Sequence, residues 1–412
     1  MPLVKPFRGL RPVTDFASDV VAPPYDVLNT AEARERVKGH PLSFLHISKP
    51  EIDLPEGTDP YAAEVYAKGA ENLQKLINDK ILMRDEKACY YVYRLVMGVH
   101  QQTGLVVTAS VADYDTNRIR KHEYTRPDKE DDRVRQIDAL NAQTGPVFLT
   151  YRSNKVVEDI TNKISKTTPT YDLTADDGVK HTIWLVAGDE DINTLTSTFD
   201  AMDCLYIADG HHRSASASRI AASRNSGISK IGEASHDYFL SVIFPDKQMQ
   251  ILDYNRVITD LNGLSENELI EKIKNSFSIE FVHSLYKPQK TTEFSMYLKG
   301  QWYKLGINAE LIPENDPVAS LDISLLQNNL IEPLLGVSDP RRDKRIDFVG
   351  GIRGLEELEK RVDSGEMKVA FALYPTSLSQ LMDVADANEV MPPKSTWFEP
   401  KLADGLVSHV LD

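Results

Sequence analysis

The 412-residue sequence predicts a mixed α/β or α+β protein, with mixed sheets and interleaved helices. Three observations carry that expectation. Between 146 and 224, short apolar runs alternate with longer runs of helical spacing, the pattern of an α/β layer. Elsewhere, pairs of strand-like runs flank turn residues at Gln102-Thr103-Gly104, Pro245-Asp246-Lys247 and Lys299-Gly300, as antiparallel hairpins do. A content of 41% apolar and 26% charged residues is that of an ordinary globular protein.

The first thirty residues are proline-punctuated and extended, ending in Ala22-Pro23-Pro24-Tyr25-Asp26. Helices are expected over 31–38 and 60–78, the second with Tyr61, Val65, Leu73, Leu76 and Ile77 on helical spacings. A hairpin over 88–99 and 105–114 follows, then a charged helix over 127–142 and a strand over 146–151. The alternating stretch reads as helix 155–166, strand 181–186, helix 189–201, strand 204–208 and helix 213–224. Strands over 238–244 and 249–257 form a second hairpin. After Asn262-Gly263-Leu264 come a helix to 275, a hairpin over 293–307 and an apolar helix near 319–335. The chain closes with helix 354–363, strand 367–374, helix 376–387 and a tail rich in Pro, Lys and Gly. Length alone calls for more than one domain. The expected division is an N-terminal α+β domain over 1–150, an α/β domain over 151–262 and a C-terminal α+β region over 263–412.

A formal net charge of −15 argues against a nucleic-acid surface, whose affinity comes from Lys and Arg neutralising phosphates. Two cysteines, Cys89 and Cys204, make neither a disulfide scaffold nor a four-thiolate zinc site, and fit a reducing cytoplasm. Cys204, in an apolar run, reads as a small buried hydrophobe. The first ten residues lack an apolar core segment, and no run reaches the roughly 18–20 apolar residues of a membrane span, so neither export nor insertion is expected.

The common nucleotide-binding, zinc-protease and serine-hydrolase fingerprints are absent. Four segments carry chemistry instead. In Asp209-Gly210-His211-His212-Arg213 an apolar strand stops and a helix begins. A helix start offers unpaired N–H groups and a positive dipole end, which suit a phosphate. Gly210 permits close approach or a positive φ, Arg213 is able to grip two phosphate oxygens, and Asp209 is placed to hold Mg²⁺ or a hydroxyl. His211 and His212 are neighbours on a helix, so they point about 100° apart and do not form a metal pair. The second segment runs from Ile119 to Arg133. Thr125, Pro127 and Asp128 mark a helix start, and Lys121, His122, Glu123 and Arg126 precede it, placing a carboxylate base among cations. The third runs from Met391 to Lys401, with the donor-rich tripeptide Lys394-Ser395-Thr396 behind Pro392 and Pro393 and with Trp397 and Phe398 after it. The fourth is Ala22–Asp26, a rigid turn that offers Tyr25 and Asp26. Each also has a plain structural reading, as a capped helix, a solvated face or a turn.

Taken together, Pro6–Pro12, Ala22–Asp26, Ser43–His46, Lys121–Thr125, Asp209–Arg213 and Met391–Thr396 resemble, in order, the markers of the bacterial and archaeal domain of unknown function 1015 family. The Asp-Gly-His-x-Arg junction is also similar to the phosphate loop of the ParB/sulfiredoxin superfamily, whose free-serine kinases carry Asp-Gly-His-Thr-Arg. That likeness implies a phosphate-binding subdomain of that type around 181–260. Asp209, Gly210, His211 and Arg213 match the kinase loop, and His212 replaces its threonine. The sulfiredoxin cysteine falls at His211, which removes a thiol reaction.

The resulting expectation is Mg²⁺-dependent phosphoryl transfer from ATP or ADP to a small hydroxylated metabolite, with free L-serine as leading acceptor. In that reading Gly210, His211, His212 and Arg213 cradle phosphate, Asp209 holds Mg²⁺, and Glu123, Asp209 and His211 are catalytic. Lys394, Ser395 and Thr396 contribute to nucleotide binding, and Tyr25, Asp26, His122 and Arg126 to substrate binding. The alternatives are a nucleotide-binding, ParB-like regulatory or partition protein without chemistry, and a phosphoester hydrolase. Self-association is compatible with all three.

Overall fold

The computed structural model describes residues 1–226, 232 and 234–412. The chain divides into two compact units, the first made of 1–249 and 400–412, the second of 250–399. This differs from the division at 150 and 262. Strand Tyr238–Pro245 pairs antiparallel with His100–Ser110 and parallel with Val147–Tyr151, so the segments on either side of 150 share one sheet.

In the first unit that sheet has nine strands. Its order is Ile119–Arg120, Leu205–Asp209, Val147–Tyr151, Tyr238–Pro245, His100–Ser110, Tyr90–Met97, Lys180–Val186 and Tyr171–Thr174, with Val4–Lys5 joined to His100–Ser110 off that path. The central strands Val147–Tyr151 and Tyr238–Pro245 are buried along their whole length, which is why they read as continuous apolar runs. Helices Lys155–Ile164 and Asp189–Asp200 present Val157, Ile160, Leu195 and Phe199 to the same core as Leu149, Val107 and Ile243. Burying each such side chain contributes about 1.5–3 kcal/mol. A second core gathers Phe44, Leu45 and Ile47 against Leu73 and Leu76 of helix Ala63–Asn78. The final segment of the chain returns to this unit, where His409–Val410 pairs with Ala142–Gln143 and Asp404 bridges Ala22.

The second unit contains an antiparallel sheet ordered Phe277–Val282, Gln301–Ile307, Glu293–Leu298, Val369–Leu373, Tyr254–Ile258 and Ile346–Gly350. The hairpin at Lys299-Gly300 forms as expected, with Leu298 opposite Gln301. The apolar helix runs from Asp322 to Leu335 and widens into a π turn over Gln327–Ile331, just before Pro333, which has no N–H to continue the ladder.

Two hairpins differ from expectation. In the first, Met97 faces His100, so the turn is Gly98-Val99, with Gly98 at φ 59°. Gly104 lies inside a strand instead, because a Cβ there would sit 2.5 Å from the Ile243 carbonyl of the neighbouring strand. Its glycine serves close backbone approach, not a turn. Residues 111–114 belong to a short helix, Val111–Asp115, capped by the Ser110 hydroxyl. The second expected hairpin does not exist. The Asp246 carboxylate accepts from the Ser153 N–H and hydroxyl at 3.0 and 2.6 Å, which ties the Pro245-Asp246-Lys247 turn to a distant segment. Residues 250–258 then break into Gln250–Leu252, paired with Trp397–Glu399, and Tyr254–Ile258 in the second unit's sheet. Cys204 stands just ahead of its strand and is half-buried.

Replacing Gly104 tests the close approach. Gly104→Ala is expected to destabilise the first unit by about 1–3 kcal/mol, read as a lower urea midpoint at unchanged m-value.

Candidate functional site

The parallel pairing of Ile119–Arg120 with Leu205–Asp209 builds the site. Both strands release their chains at the same edge, so the loop 121–126 lies beside Asp209–Arg213. Ligands gather at such carboxyl ends in open α/β sheets. A bulge in the Leu205–Asp209 strand, at the register shift between Ile207 and Asp209, re-aims the last residue as it leaves the sheet. Gly210 then takes φ 101°, and helix His211–Arg224 begins. A Cβ on Gly210 would also stand 3.1 Å from Arg213 Nε, so both backbone conformation and space call for glycine. The small residues Ser214, Ala215, Ser216 and Ala217 are buried, which lets this helix lie close to helix Pro127–Leu140. The Ser216 hydroxyl donates to the Glu130 carbonyl at 3.1 Å.

The histidines go to different partners, as their angular separation requires. His211 is 4% exposed, and its Nε2 accepts from the His122 backbone N–H at 3.4 Å. The ring proton is therefore assigned to Nδ1, which lies 3.7 Å from Glu123 Oε2. Burial, first, and the nearby His122 hold His211 well below the usual histidine range, so it is neutral. His212 Nε2 accepts from the Arg126 backbone N–H at 3.0 Å. His122 differs from the substrate-touching role expected of it. It is 2% exposed, its ring stands edge-on to His211 at 4.5 Å, and burial pushes its pKa down to about 4. It backs the loop from inside.

Asp209 sits between two cations. Lys401 Nζ lies 3.3 Å from Oδ2 and Arg213 Nη2 lies 3.6 Å from Oδ1. Burial opposes its charge, but Lys401 and Arg213 outweigh that and hold the carboxyl below its ordinary range. Arg213 also donates to the Pro146 carbonyl through Nη1, so much of its fork is committed to protein groups. Behind it, Asp404 is buried and bridges Ala22 through both backbone groups, while Oδ2 has no hydrogen-bond partner. Burial raises the Asp404 pKa to about 7, with Arg213 opposing the shift and Asp26 adding to it.

The structure thus brings together Glu123, Arg126, Asp209, Gly210, His211, His212 and Arg213. Half-buried Tyr25 lies nearby, with the Arg133 guanidinium 4.1 Å over its ring, and Asp26 is exposed next to it. Thr125 does not cap helix Pro127–Leu140. Arg126 occupies the cap, and the Thr125 hydroxyl bonds the Glu130 carboxylate. Lys394, Ser395 and Thr396 belong to the second unit, where the buried Arg256 guanidinium donates to the Lys394 carbonyl at 3.0 Å and Thr376 to the Ser395 carbonyl at 2.9 Å. Lys401 and Asp404 went unassigned in the sequence. Lys401 ended the third segment and Asp404-Gly405 is a turn pair, but nothing local says that the chain comes back to the Asp209 strand.

Among the described residues no group of three or more His, Cys, Asp or Glu side chains forms a metal site. Asp209 is the carboxylate at the junction, and two cations already balance it. Magnesium takes few protein carboxylates and completes its shell with phosphate oxygens and water, so this donor set fits the ion only together with a nucleotide.

A mixed α/β protein with an anion-suited strand-to-helix junction is the class these features define. The chain belongs to the family described as protein of unknown function (DUF1015), matched over residues 4–324. No curated protein matches it. Among solved structures it is similar to a free serine kinase in complex with AMP, at 13% identity, over 73% of this chain and 92% of that one, with a TM-score of 0.35. It is also similar to a C-terminally truncated SbnI from Staphylococcus aureus, at 10% identity over 73% and 86% of the two chains, with a TM-score of 0.38. A conserved hypothetical protein from Pyrococcus furiosus gives 14% identity over 76% and 96%, with a TM-score of 0.34. At these scores the likenesses carry no argument about chemistry. Among the described residues no helix is long and apolar enough to cross a membrane.

Two outcomes test the site. Gly210→Ala is expected to cost about 1–2 kcal/mol in thermal unfolding, because it forces a side chain into the left-handed region against Arg213. Asp404 has a folded pKa of about 7 against 3.8 for the ordinary group. An acid raised on folding destabilises the native state as pH climbs from the unfolded towards the folded value. Asp404→Asn should therefore gain Tm over wild type at pH 8 and show little gain at pH 4, measured by differential scanning calorimetry.

Proposed function

We propose that the protein is a small-molecule kinase that transfers a phosphoryl group from ATP or ADP to a hydroxyl, with free L-serine as leading acceptor. The observation that carries this reading is the meeting of Glu123 with neutral His211 at the start of a helix opened by Asp209-Gly210. A carboxylate and a phosphate cradle at one point are what transfer to an alcohol requires. The match of Asp209, Gly210, His211 and Arg213 to the free-serine kinase loop supports the same assignment.

The helix N–H groups from His211 onward and the Arg213 charge bind the phosphates. Glu123, half-exposed, accepts the proton of the acceptor hydroxyl. His211, whose Nδ1 faces Glu123 Oε2 at 3.7 Å, stands behind that carboxylate as a positioning residue. His212 and Arg126 fix the loop to one another, and Tyr25 and Asp26 line the approach. Asp209 would hold Mg²⁺ arriving on the nucleotide, and Lys401 and Arg213 keep it ionised at neutral pH. When bound, the ion neutralises phosphate charge. Lys394, Ser395 and Thr396 are assigned to the nucleotide on the family resemblance alone. The setting we assign is cytoplasmic. The exposure of Glu123 also suits activation of water, which makes a phosphoester hydrolase the second reading.

Incubation with ATP or ADP, Mg²⁺ and L-serine, followed by ³¹P NMR, is expected to yield phosphoserine. Release of inorganic phosphate without an acceptor would favour the hydrolase instead, and no consumption of either nucleotide would sink both. Glu123→Gln should lower kcat by about 10²–10⁴ with KM for nucleotide little changed. Arg213→Ala should weaken nucleotide binding at least tenfold, about 1.4 kcal/mol, by isothermal titration calorimetry.

A further inference from the structure

Within the first unit, residues 18–24, the turn 174–177 and the returning tail at 401–403 line a cleft of about 90 Å³. That is room for about six waters at one probe sphere each. Pro23 and Pro24 form part of its wall and bring no N–H. The most deeply set donor on the lining is His181, 2% exposed, from strand Lys180–Val186. Neither the phosphate cradle nor Glu123 makes use of it.

The His181 ring has one nitrogen committed and one bare. Nδ1 lies 2.6 Å from the Tyr93 hydroxyl, which already accepts from the Ala403 N–H at 3.3 Å, so the tyrosine proton is assigned to Nδ1. Burial pushes the imidazole pKa down to about 4, so the ring is neutral and its own proton stands on Nε2. Nε2 has no hydrogen-bond partner among the described residues. A buried donor left bare is costly, and this one calls for an acceptor in the cleft. Charge on the lining is divided. Lys401 is cationic and lies 3.3 Å from Asp209 Oδ2. Asp176 pairs with Arg36 at 3.3 Å, while Asp19 and Asp177 form no ion pair among the described residues. The Asp177 charge acts on the His181 ring.

We propose that this cleft seats a small α-amino acid as its zwitterion, the carboxylate accepting from His181 Nε2 on the Lys401 side and the ammonium set against Asp177 and Asp19. It rests on the kinase reading for one point only, that this ligand is the phosphoryl acceptor. Lys401 is shared by the cleft and the Asp209 ion pair, so the seat adjoins the carboxylate assigned to Mg²⁺. A nucleotide answers the same lining poorly. The volume is too small for a base with its sugar, and unpaired carboxylates repel phosphate. A simple carboxylic acid leaves Asp19 and Asp177 without a counter-charge, and a simple amine leaves the His181 donor bare.

Calorimetric titration of the full chain with L-serine, ethanolamine and glycerate, with and without ADP and Mg²⁺, tests the assignment. Ethanolamine is serine without its carboxylate, and glycerate carries a hydroxyl in place of the ammonium. Each is expected to bind at least about tenfold more weakly than serine. His181→Phe keeps an aromatic ring and removes the donor, and should weaken serine at least about tenfold. Asp177→Asn, on an exposed turn, keeps the oxygen that accepts from the Val179 N–H and removes the charge. It should weaken serine about three- to fivefold. Affinity for ADP should hold in both variants, and if it falls in His181→Phe the Asp177→Asn result decides alone. Serine bound equally well by wild type and both variants overturns the cleft and leaves the kinase reading standing. Equal affinity for serine and either analogue, or no binding of serine at all, overturns it too. Serine bound as expected, with no phosphoserine formed from ATP or ADP, keeps the cleft and removes the acceptor role.

Discussion

The Asp209 carboxylate, held between Lys401 and Arg213, is the contact on which the site's architecture depends. Lys401 comes from the last thirteen residues, which rejoin the first unit after the chain has built the second. Arg213 comes from the helix that Asp209 itself introduces, and its other nitrogen reaches the Pro146 carbonyl. One carboxylate thus fixes the strand end, the first turn of the helix and the returning tail. The cost of half-burying it is offset by two opposite charges at short range, and the group stays ionised.

Around that contact the polar groups divide by burial. His122 and His211 are deep in the unit and neutral, so they act through shape and hydrogen bonds, not charge. Glu123 and Asp26 lie on the solvent side. A neutral imidazole with one nitrogen committed to a backbone N–H has a single proton left to offer, and its direction is set by the fold. The same logic applies to Gln143, whose oxygen is committed to Leu240 and whose NH₂ is not.

Much of the secondary structure was legible because burial and period agree. The fully buried strands Val147–Tyr151 and Tyr238–Pro245, and Leu205–Asp209 up to Ala208, are short apolar runs bounded by polar turns, and the helices between them carry clear apolar stripes. The failures lie where a local signal serves a distant partner. Gly104 looks like a turn residue but makes room for the Ile243 backbone. Pro245-Asp246-Lys247 looks like a hairpin turn, but Asp246 is bound to Ser153. Thr125 looks like a cap, yet its hydroxyl goes to Glu130 and the helix starts one residue later. Turn chemistry records a backbone shape without saying which segment will use it.

By itself the sequence determined the junction: a strand of apolar residues, an Asp-Gly break, and a helix opening on two histidines and an arginine, because conformational preference and hydrophobic period are local. It also determined that the histidines diverge, since 3.6 residues per turn leaves neighbours no choice. Only the tertiary structure decided what surrounds that junction. Parallel pairing of Ile119–Arg120 with Leu205–Asp209 brought Glu123 to His211 across 88 residues of sequence. The return of the tail supplied Lys401 and Asp404. These are pairings between strands far apart in the chain, chosen by the burial of a whole sheet, and no residue's own chemistry encodes its partner.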